Sequence, residues 1–454
     1  MNSDILFSKT PPVKLFFTAA MPGAVSMLAS ALYQLFDGIF IGHFLGETAF
    51  AALNFSMPLV IINFALADLI GVGSSVPIAI SLGKGEKKEA DNLFTIACLL
   101  IVITGALTGA LLFAAAPALI GLMGAKGEMA LLAAQYLRVY ALCSPVTTII
   151  FAMDNYLRIC GQIKGSMFLN IFMSAITAAL EFTFLYVFGL GIWGAALATC
   201  TGMIVCAFIA LIPFLRGRMT LRFVRPVLKP WMIRRIVSCG SPNFLNNLAG
   251  RITSILMNVL LLGYGGESAV SIYGILMYAD GFIQPLLYGM CDSLQPAVGY
   301  NWGAGAYARV RAIERCCFTA SAILSALSLA VLCLFPAFIT RLFLPDGDAA
   351  FMAESLTALR IFALTYLTRW FSFAAQSYML AVGNALPASL LSVANALIFP
   401  VLLVVLLSPL GLTGLWLNFP GSSALTGVLA LGVMLWFGRE LARIQARAAK
   451  RTML

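Results

Sequence analysis

Long, uninterrupted apolar runs are the feature that most constrains the fold of this chain. Hydrophobic residues make up 61% of its 454 residues and charged residues only 10%, whereas a soluble domain carries roughly a quarter charged residues. A membrane helix takes about 20 apolar residues, and continuous runs of that length indicate helices instead of the short alternating segments of a barrel. We therefore predict an all-α polytopic membrane protein with about twelve transmembrane helices.

The predicted helices, called spans 1–12 in chain order, fall into two sets of six. The first set covers residues 15–41, 50–81, 94–122, 131–157, 167–188 and 193–215. The second set covers residues 236–262, 269–300, 316–339, 355–380, 388–407 and 412–437. This division predicts an N-terminal six-helix lobe (1–215), a basic cytoplasmic linker (216–235) and a C-terminal six-helix lobe (236–454).

The two sets repeat each other in sequence. Pro22 of the first set recurs as Pro242 in the second, and Gly83-x-Gly85 recurs at the same spacing as Gly303-x-Gly305. Further pairs at the same or nearly the same spacing are Gly46 with Gly266, Arg138 with Arg360, Gly161 with Gly383 and Gly191 with Gly411. Because six spans is an even number, the halves are parallel repeats, and a duplicated membrane chain with a site between its halves is typical of a secondary transporter.

Basic residues lie in alternate loops, which predicts the orientation. Lysine and arginine precede span 1, follow spans 2, 4, 8 and 12, and fill the linker, where Arg216, Arg218, Arg222, Arg225, Lys229, Arg234 and Arg235 occur. The positive-inside rule places both termini in the cytoplasm. It also accounts for the formal net charge of +10, so we expect membrane lipid and no nucleic acid as a partner. We expect a monomer in a prokaryotic plasma (inner) membrane.

The sequence lacks the residues that several classes of chemistry require. The sequence has no G-x-x-x-x-G-K-[ST] phosphate loop, which argues against ATP as the energy source. His43 is the single histidine, and the ten cysteines form no C-x-x-C pair, so neither a metal centre nor a catalytic set is indicated. We expect no enzyme activity, no cofactor and no structural metal.

Ionisable residues within the spans are candidates for function because burying a charge in a membrane is costly. The first half holds Asp37, Asp68 and Glu181. Counted at 1.5 Å per residue, Asp37 lies roughly 34 Å along span 1 from Lys14, and Glu181 roughly 25 Å along span 5 from Lys164. Carboxyls at that depth without a basic partner either take up a proton or bind a cation, so we predict a coupling site for H⁺ or Na⁺ at Asp37 and Glu181.

Other polar residues are assigned around this site. Thr177, one turn before Glu181, and Thr199 of span 6 offer hydroxyl ligands, and Asp68 is a further candidate, with a helix-packing role for it left open. A substrate cavity is predicted with the lining residues Gln34, Asn54, Met57, Asn155 and Asn170. Pro22 and Pro242 are expected to kink spans 1 and 7, because proline removes a helix hydrogen bond.

The second half contains acids and bases in equal number. Arg251 and Arg369 could neutralise Asp280 and Asp292, and the sequence leaves buried pairing and a functional role open. In the first half, Asp154 and Arg158 have the i, i+4 spacing of a local ion pair.

Four sequence segments together resemble the multidrug and toxic compound extrusion (MATE) family, and within it the MepA-like and DinF-like bacterial group. They are YQLFDGIFIG beginning at Tyr33, NYLRICGQ at Asn155, GLGIWGAALAT at Gly189 and QPAVGYNWGA at Gln295. The resemblance extends over nearly the whole chain.

The resemblance implies two six-helix lobes arranged as a V and efflux of organic cations in exchange for H⁺ or Na⁺. It implies that the aspartate of the family's first helix is Asp37 and that the proline kink falls on Pro22. The fifth-helix acid, usually Asp, is Glu181 here, and the Asn commonly found four residues earlier is Thr177. Thr199 matches a family threonine. These departures leave the choice between H⁺ and Na⁺ open.

Two other functions stay open at this point. A lipid-linked precursor flippase of the same superfamily would have about fourteen spans and a more cationic cavity. A membrane protein without transport activity would show no substrate-dependent ion flux.

Overall fold

The computed structural model describes residues 3–343 and 349–452, and nearly all of them are helical, with no strand in these two ranges. In the first half, spans 1, 2 and 3 are the helices Pro12–Leu45, Glu47–Gly83 and Lys87–Leu122. Span 4 consists of Gly127–Thr147 and Ile149–Ile159, span 5 of Ile163–Phe182 followed by the π-helical segment Thr183–Val187, and span 6 of Ile192–Leu215.

In the second half, spans 7 and 8 form one continuous helical stretch, Pro230–Gly303, and span 9 is Tyr307–Leu334. Span 10 consists of Ala349–Ala363, the 3₁₀ turn Leu364–Leu367 and Arg369–Ala381. Span 11 consists of Ala385–Val393, the π-helical segment Ala394–Ile398 and Phe399–Leu407; a 3₁₀ turn, Ser408–Leu410, joins it to span 12, Gly411–Thr452. Two short helices, Ser3–Lys9 and Pro336–Phe343, lie outside the spans.

The number of membrane crossings agrees with the prediction. Ten helical stretches in the described residues are long and apolar enough to cross a membrane. Two of them, Pro230–Gly303 with 74 residues and Ala385–Arg443 with 59, are each long enough for two crossings. Each contains a glycine with positive φ, Gly266 at 64° and Gly411 at 62°, where the chain turns back. When each of these two stretches is counted as two spans, the all-α membrane protein has twelve spans.

The buried apolar residues form separate cores within the lobes and a further core between them. Two clusters belong mainly to spans 1–6, which we call the N-lobe, and two to spans 7–12, the C-lobe. The remaining cluster joins the lobes, since Leu15, Val76 and Ile80 pack with Cys239, Leu294 and other C-lobe residues. The exact limits of the two domains stay a prediction.

The repeated glycines Gly83 and Gly303 mark the crossing point of the lobes. A Cβ at Gly83 would lie 1.9 Å from the carbonyl oxygen of Tyr300, and one at Gly303 would lie 2.1 Å from that of Ile80. Ile80 and Tyr300 are separated by the same number of residues as the two glycines. Each repeat therefore makes the equivalent contact, in which its glycine packs against a backbone carbonyl of the other repeat. Spans 2 and 8 therefore cross backbone to backbone around a pseudo-two-fold axis.

The other tight contacts between lobes lie on the same side of the molecule. A Cβ at Gly240 would lie 1.8 Å from the Leu69 carbonyl oxygen, and one at Gly73 would lie 2.1 Å from that of Ile236. The short helix Ser3–Lys9 adds to this closure, since the Phe7 carbonyl accepts hydrogen bonds from Asn301 Nδ2 at 3.0 Å and Arg309 Nε at 2.8 Å. The lobes are thus closed at the end of the bundle that carries the linker.

Both predicted kink positions are inside helices. Pro22 lies in span 1 and Pro242 in span 7, and both are buried. The backbone next to Pro22 is pressed against the other lobe, because a Cβ at Gly23 would lie 1.8 Å from Ser293 Oγ.

Candidate ion and substrate sites

Asp37 and Glu181 lie together inside the N-lobe. Span 1 packs along span 5, and the two side chains are 4% and 0% exposed. Their carboxyls are close enough to interact directly. Within the described part of the chain, Asp37 Oδ1 and both oxygens of Glu181 have no hydrogen-bond partner. Two such carboxylates cannot both stay charged without a cation or a shared proton.

Several hydroxyl groups lie near this acid pair. Tyr33, one helical turn before Asp37, shares a 2.7 Å hydrogen bond with Thr199 Oγ1 of span 6. Tyr136 and Tyr140 of span 4 lie within electrostatic range of Asp37. These tyrosines are not among the site residues predicted from the sequence. The i, i+4 spacings of Tyr33 with Asp37 and of Tyr136 with Tyr140 are signals that could have pointed to them.

Aromatic rings cover the acid pair on the side away from the linker. Phe44 of span 1 packs at 5.9 Å from Phe182 and 5.7 Å from Tyr186, centroid to centroid. Directly after Glu181 and Phe182, span 5 changes to its π-helical segment. A π segment within a helix is rare and occurs frequently at functional sites, and here it adjoins the acid.

The two predicted threonines differ in their contacts. Thr199 is hydrogen-bonded to Tyr33, which lies one helical turn before Asp37. The Thr177 hydroxyl donates to the Met173 carbonyl of its own helix at 2.6 Å and faces Gly202, where a Cβ would lie 2.2 Å from Thr177 Oγ1. Its contacts are those of helix packing between spans 5 and 6, and no hydrogen bond to either acid is among those of the described residues.

A second polar cluster lies where the lobes meet. Asp154 and Arg158 form the predicted i, i+4 ion pair at 2.6 Å. Arg158 also donates to Ser293 Oγ of the C-lobe at 3.1 Å. Asp68 lies within electrostatic range of Asp154 and Asp292, so it is separate from the Asp37–Glu181 pair and belongs to the lobe interface.

Asn170 also belongs to the interface cluster. It donates to Asp154 Oδ1 at 2.8 Å and to Ser26 Oγ at 2.7 Å. Asn54 and Asn155 each donate to a carbonyl of their own helix, at 3.0 and 3.1 Å, and Met57 packs against an N-lobe core. Gln34 is outside the residues whose side chains the structure describes. None of the four described residues lines the C-lobe cavities reported next, and the substrate cavity stays a prediction.

Two cavities lie in the C-lobe. They adjoin each other and share Asn246, Gln284, Tyr288, Arg369 and Asn395. Arg369 pairs with Asp280 at 2.8 Å, which is one of the pairings that the sequence left open. Asp292 accepts hydrogen bonds from Gln295 and Ser377 at 2.8 and 3.1 Å. Among the described residues, no group of three or more His, Cys, Asp or Glu side chains could hold a metal ion.

Comparison with known families gives the same pattern of two repeats. The family model described as MatE matches twice, over residues 22–183 and 242–406, one match in each lobe. This chain belongs to the MATE family. The match includes Asp37, Glu181 and both kink prolines, and it makes the chain a multi-pass membrane protein of a transporter family.

Individual relatives are distant but cover the whole fold. The chain is 24% identical over 414 residues to a protein of Staphylococcus saprophyticus named multidrug export protein MepA, with 90% of each chain covered. It is 25% identical over 421 residues to a protein of the same name from Staphylococcus aureus, again with 90% of each covered. A solved outward-facing structure of a multidrug resistance MATE family transporter superimposes with a TM-score of 0.91 at 22% identity, covering 98% of this chain and 99% of that one.

Proposed function

We propose that this MATE protein is a secondary active multidrug efflux antiporter that exports organic cations in exchange for H⁺ or Na⁺. The observation that carries the proposal is the buried pair of Asp37 and Glu181, with three carboxyl oxygens that no described residue satisfies. A permanent ion pair would need a basic partner. An exchangeable proton or Na⁺ supplies the missing charge and the missing contacts, and its arrival and departure can drive a conformational change.

The coupling cycle follows from where the pair lies. When the pair is ionised, its negative charge attracts a cationic drug to the N-lobe. Entry of H⁺ or Na⁺ from outside neutralises the pair and removes that attraction, so the drug leaves. Span 1 carries Asp37, Pro22 and the interface residue Gly23, so a change at the acid has a direct mechanical route to the contact between the lobes.

The closed end of the molecule fits one state of alternating access. The tight contacts between lobes occur at the end that carries the basic linker. If that end is cytoplasmic, as the positive-inside rule predicts, the structure is an outward-facing state. We propose a plasma-membrane location, cytoplasmic termini, a monomeric unit and cationic drugs as substrates on this basis. Twelve spans favour an antiporter over a fourteen-span flippase.

Transport measured in proteoliposomes tests the proposal. Purified protein is reconstituted, and uptake of a fluorescent cation such as ethidium is followed under an imposed pH gradient and, separately, an imposed Na⁺ gradient. We expect transport to depend on at least one gradient, and the cation to dissipate that gradient in return. Cation uptake that ignores both gradients, or none at all, would contradict antiport.

A further inference from the structure

We propose that the C-lobe contains a second ligand site, a polar cavity in which Arg369 binds the carboxylate of a small aromatic acid. This goes beyond the exchange of cations at the N-lobe pair and does not rest on it. Both the charge and the lining of the cavity differ from those of the acid pair.

The cavity has a volume of about 180 Å³ and lies among spans 7, 8, 10, 11 and 12. Amide and hydroxyl side chains dominate its wall. They include Asn246, Thr253, Gln284, Asn395, Asn418 and Ser423. Aromatic and apolar surface comes from Tyr273, Tyr288, Phe419 and Met257. A few convergent polar groups beside aromatic surface are typical of a small-molecule site.

Arg369 is the one charged residue among those that line the cavity. Its partner Asp280 stands outside the lining. There, Asp280 Oδ1 accepts from Arg369 Nη1 at 2.8 Å and from the Tyr366 hydroxyl at 2.6 Å. A guanidinium has five N–H donors, and the described residues give this one a single acceptor. The donors that remain can hold a carboxylate in the two-bond geometry that arginine favours.

A buried hydroxyl of the wall lacks a partner. Thr365 is 4% exposed, lines the cavity, and its Oγ1 has no hydrogen-bond partner among the described residues. Leaving a buried hydroxyl unpaired is energetically unfavourable. A ligand oxygen in the cavity would give the Thr365 hydroxyl a hydrogen-bond partner. The unpaired hydroxyl therefore favours a bound ligand over side-chain packing alone.

The backbone of span 11 is also irregular at the cavity. Asn395 and Ala396, both in the lining, belong to the π-helical segment Ala394–Ile398. Pro400 has no N–H to reach the Ala396 carbonyl, which accepts from Thr253 Oγ1 at 2.5 Å instead. The regular α-helical hydrogen bonding of span 11 is thus interrupted where its side chains line the cavity. Such π-helical segments often occur at functional sites.

Size limits the ligand. A cavity of roughly 150 Å³ in another protein holds a benzene ring, so the volume here fits one aromatic ring with small substituents. The carboxylate is assigned to Arg369, the ring to the Tyr288 side of the cavity, and a ring hydroxyl to the amides. We therefore choose 4-hydroxybenzoate as the probe, and 4-hydroxybenzamide as a control of equal size without the charge.

Binding is measured by isothermal titration calorimetry on the purified full-length protein in detergent. We expect saturable binding of 4-hydroxybenzoate and binding of the amide weaker by about tenfold or more. The charge test is Arg369→Gln combined with Asp280→Asn, because the single change would leave Asp280 buried without its partner. The double variant should weaken binding of the acid by about tenfold and leave binding of the amide unchanged.

A steric test leaves Arg369 intact. Gly250 lines the cavity, and a Cβ there would meet nothing within 4 Å, so Gly250→Leu should fold and fill the space. Gly263→Leu is the matched control, since that glycine of span 7 is equally open but outside the lining. We expect loss of binding in the first variant only. Equal affinity for acid and amide, unchanged affinity in Gly250→Leu or the charge variant, or no saturable binding would overturn the proposal. An Asp37→Asn variant should bind the acid normally, which separates this site from the proposed antiport.

Discussion

The buried ion pairs of this protein differ from the Asp37–Glu181 pair in having a basic partner. Arg369 with Asp280 and Arg158 with Asp154 are ion pairs at 2.8 and 2.6 Å. Asp37 and Glu181 are both acids, and no described residue forms an ion pair with either of them. Pairing stabilises a buried charge in one fixed state, whereas a pair of acids needs a mobile ion. We therefore expect the N-lobe pair to bind and release an ion.

Asp37→Asn should abolish gradient-driven efflux and leave folded protein in the membrane. The amide keeps the shape of the side chain but carries no charge for an ion to neutralise. Cation transport in proteoliposomes, with size-exclusion chromatography of the same sample, checks both parts. Full transport by the variant under a proton gradient and under a sodium gradient would exclude this residue from coupling.

Glu181 should tolerate a shorter acid better than an amide. Glu181→Gln should lose gradient-driven transport, while Glu181→Asp should retain part of it because the carboxylate is preserved. The comparison is made at matched expression by initial rate of ethidium transport. If Glu181→Gln transports as well as Glu181→Asp, charge at this position is not required.

At the level of the helix, span 1 joins the ion site to the contact between lobes. Asp37 lies in the half of span 1 away from the linker, Pro22 lies in the other half, and Gly23 touches the C-lobe at Ser293. A proline inside a helix leaves a carbonyl of the preceding turn without its usual donor, so the helix bends more easily at that point. We therefore expect span 1 to transmit the proposed ion binding as a change in bend.

Pro22→Ala should slow transport more than it lowers stability. Alanine restores the helix hydrogen bond and straightens the backbone, which opposes the change in bend but suits a helix well. Pro117→Ala is a matched control, because Pro117 lies inside span 3 with an exposed side chain. Transport rates and melting temperatures of both variants are compared with wild type. An unchanged rate for Pro22→Ala would remove bending of span 1 from the mechanism.

For the whole molecule, the crossing of spans 2 and 8 is the contact that rocking of the lobes has to open. Gly83 and Gly303 bring two backbones together without side chains between them. Such a contact has no room for a larger residue and is surrounded by the apolar core that joins the lobes. A residue that cannot fit there should favour the state in which this end is open.

Gly303→Leu should therefore expose the lobe interface at the linker end. Cys239 reports the change, since it is 2% exposed and belongs to the core between the lobes. We expect faster maleimide labelling of Cys239, measured on its peptide by mass spectrometry, than in wild type. Gly121→Leu in span 3, where a Cβ meets nothing within 4 Å, should label as wild type does. Equal labelling in all three would contradict the assigned closure.

Orientation in the membrane is the remaining property of the whole molecule. The basic linker and basic loops predict that both termini are cytoplasmic. Reporter fusions at each terminus should be active only as cytoplasmic reporters. A periplasmic or extracellular signal from either fusion would reverse the assigned sides, and the structure would then represent an inward-facing state.

The sequence by itself determined the architecture of this protein. Apolar length sets the number of crossings because each crossing must span the bilayer core, and the near-constant spacing between repeated prolines and glycines sets the division into two similar halves. Asp37 and Glu181 could also be selected from the sequence, because a charged residue inside an apolar run is costly to place in a membrane and is therefore a candidate for function. Local pairing of Asp154 with Arg158 also follows from helix geometry.

Only the tertiary structure decided which residues meet across helices. It assigned Thr177 to packing against Gly202, Asn170 and Asp68 to the lobe interface, and Arg369 to a polar cavity of its own. The tyrosines near the acid pair have an i, i+4 spacing as their sequence signal, but that spacing does not say which helix they face. In an apolar chain, a polar side chain has the same local pattern whether it faces a cavity, a neighbouring helix or its own backbone. The rotation of each helix about its axis distinguishes these cases, and packing between helices fixes that rotation.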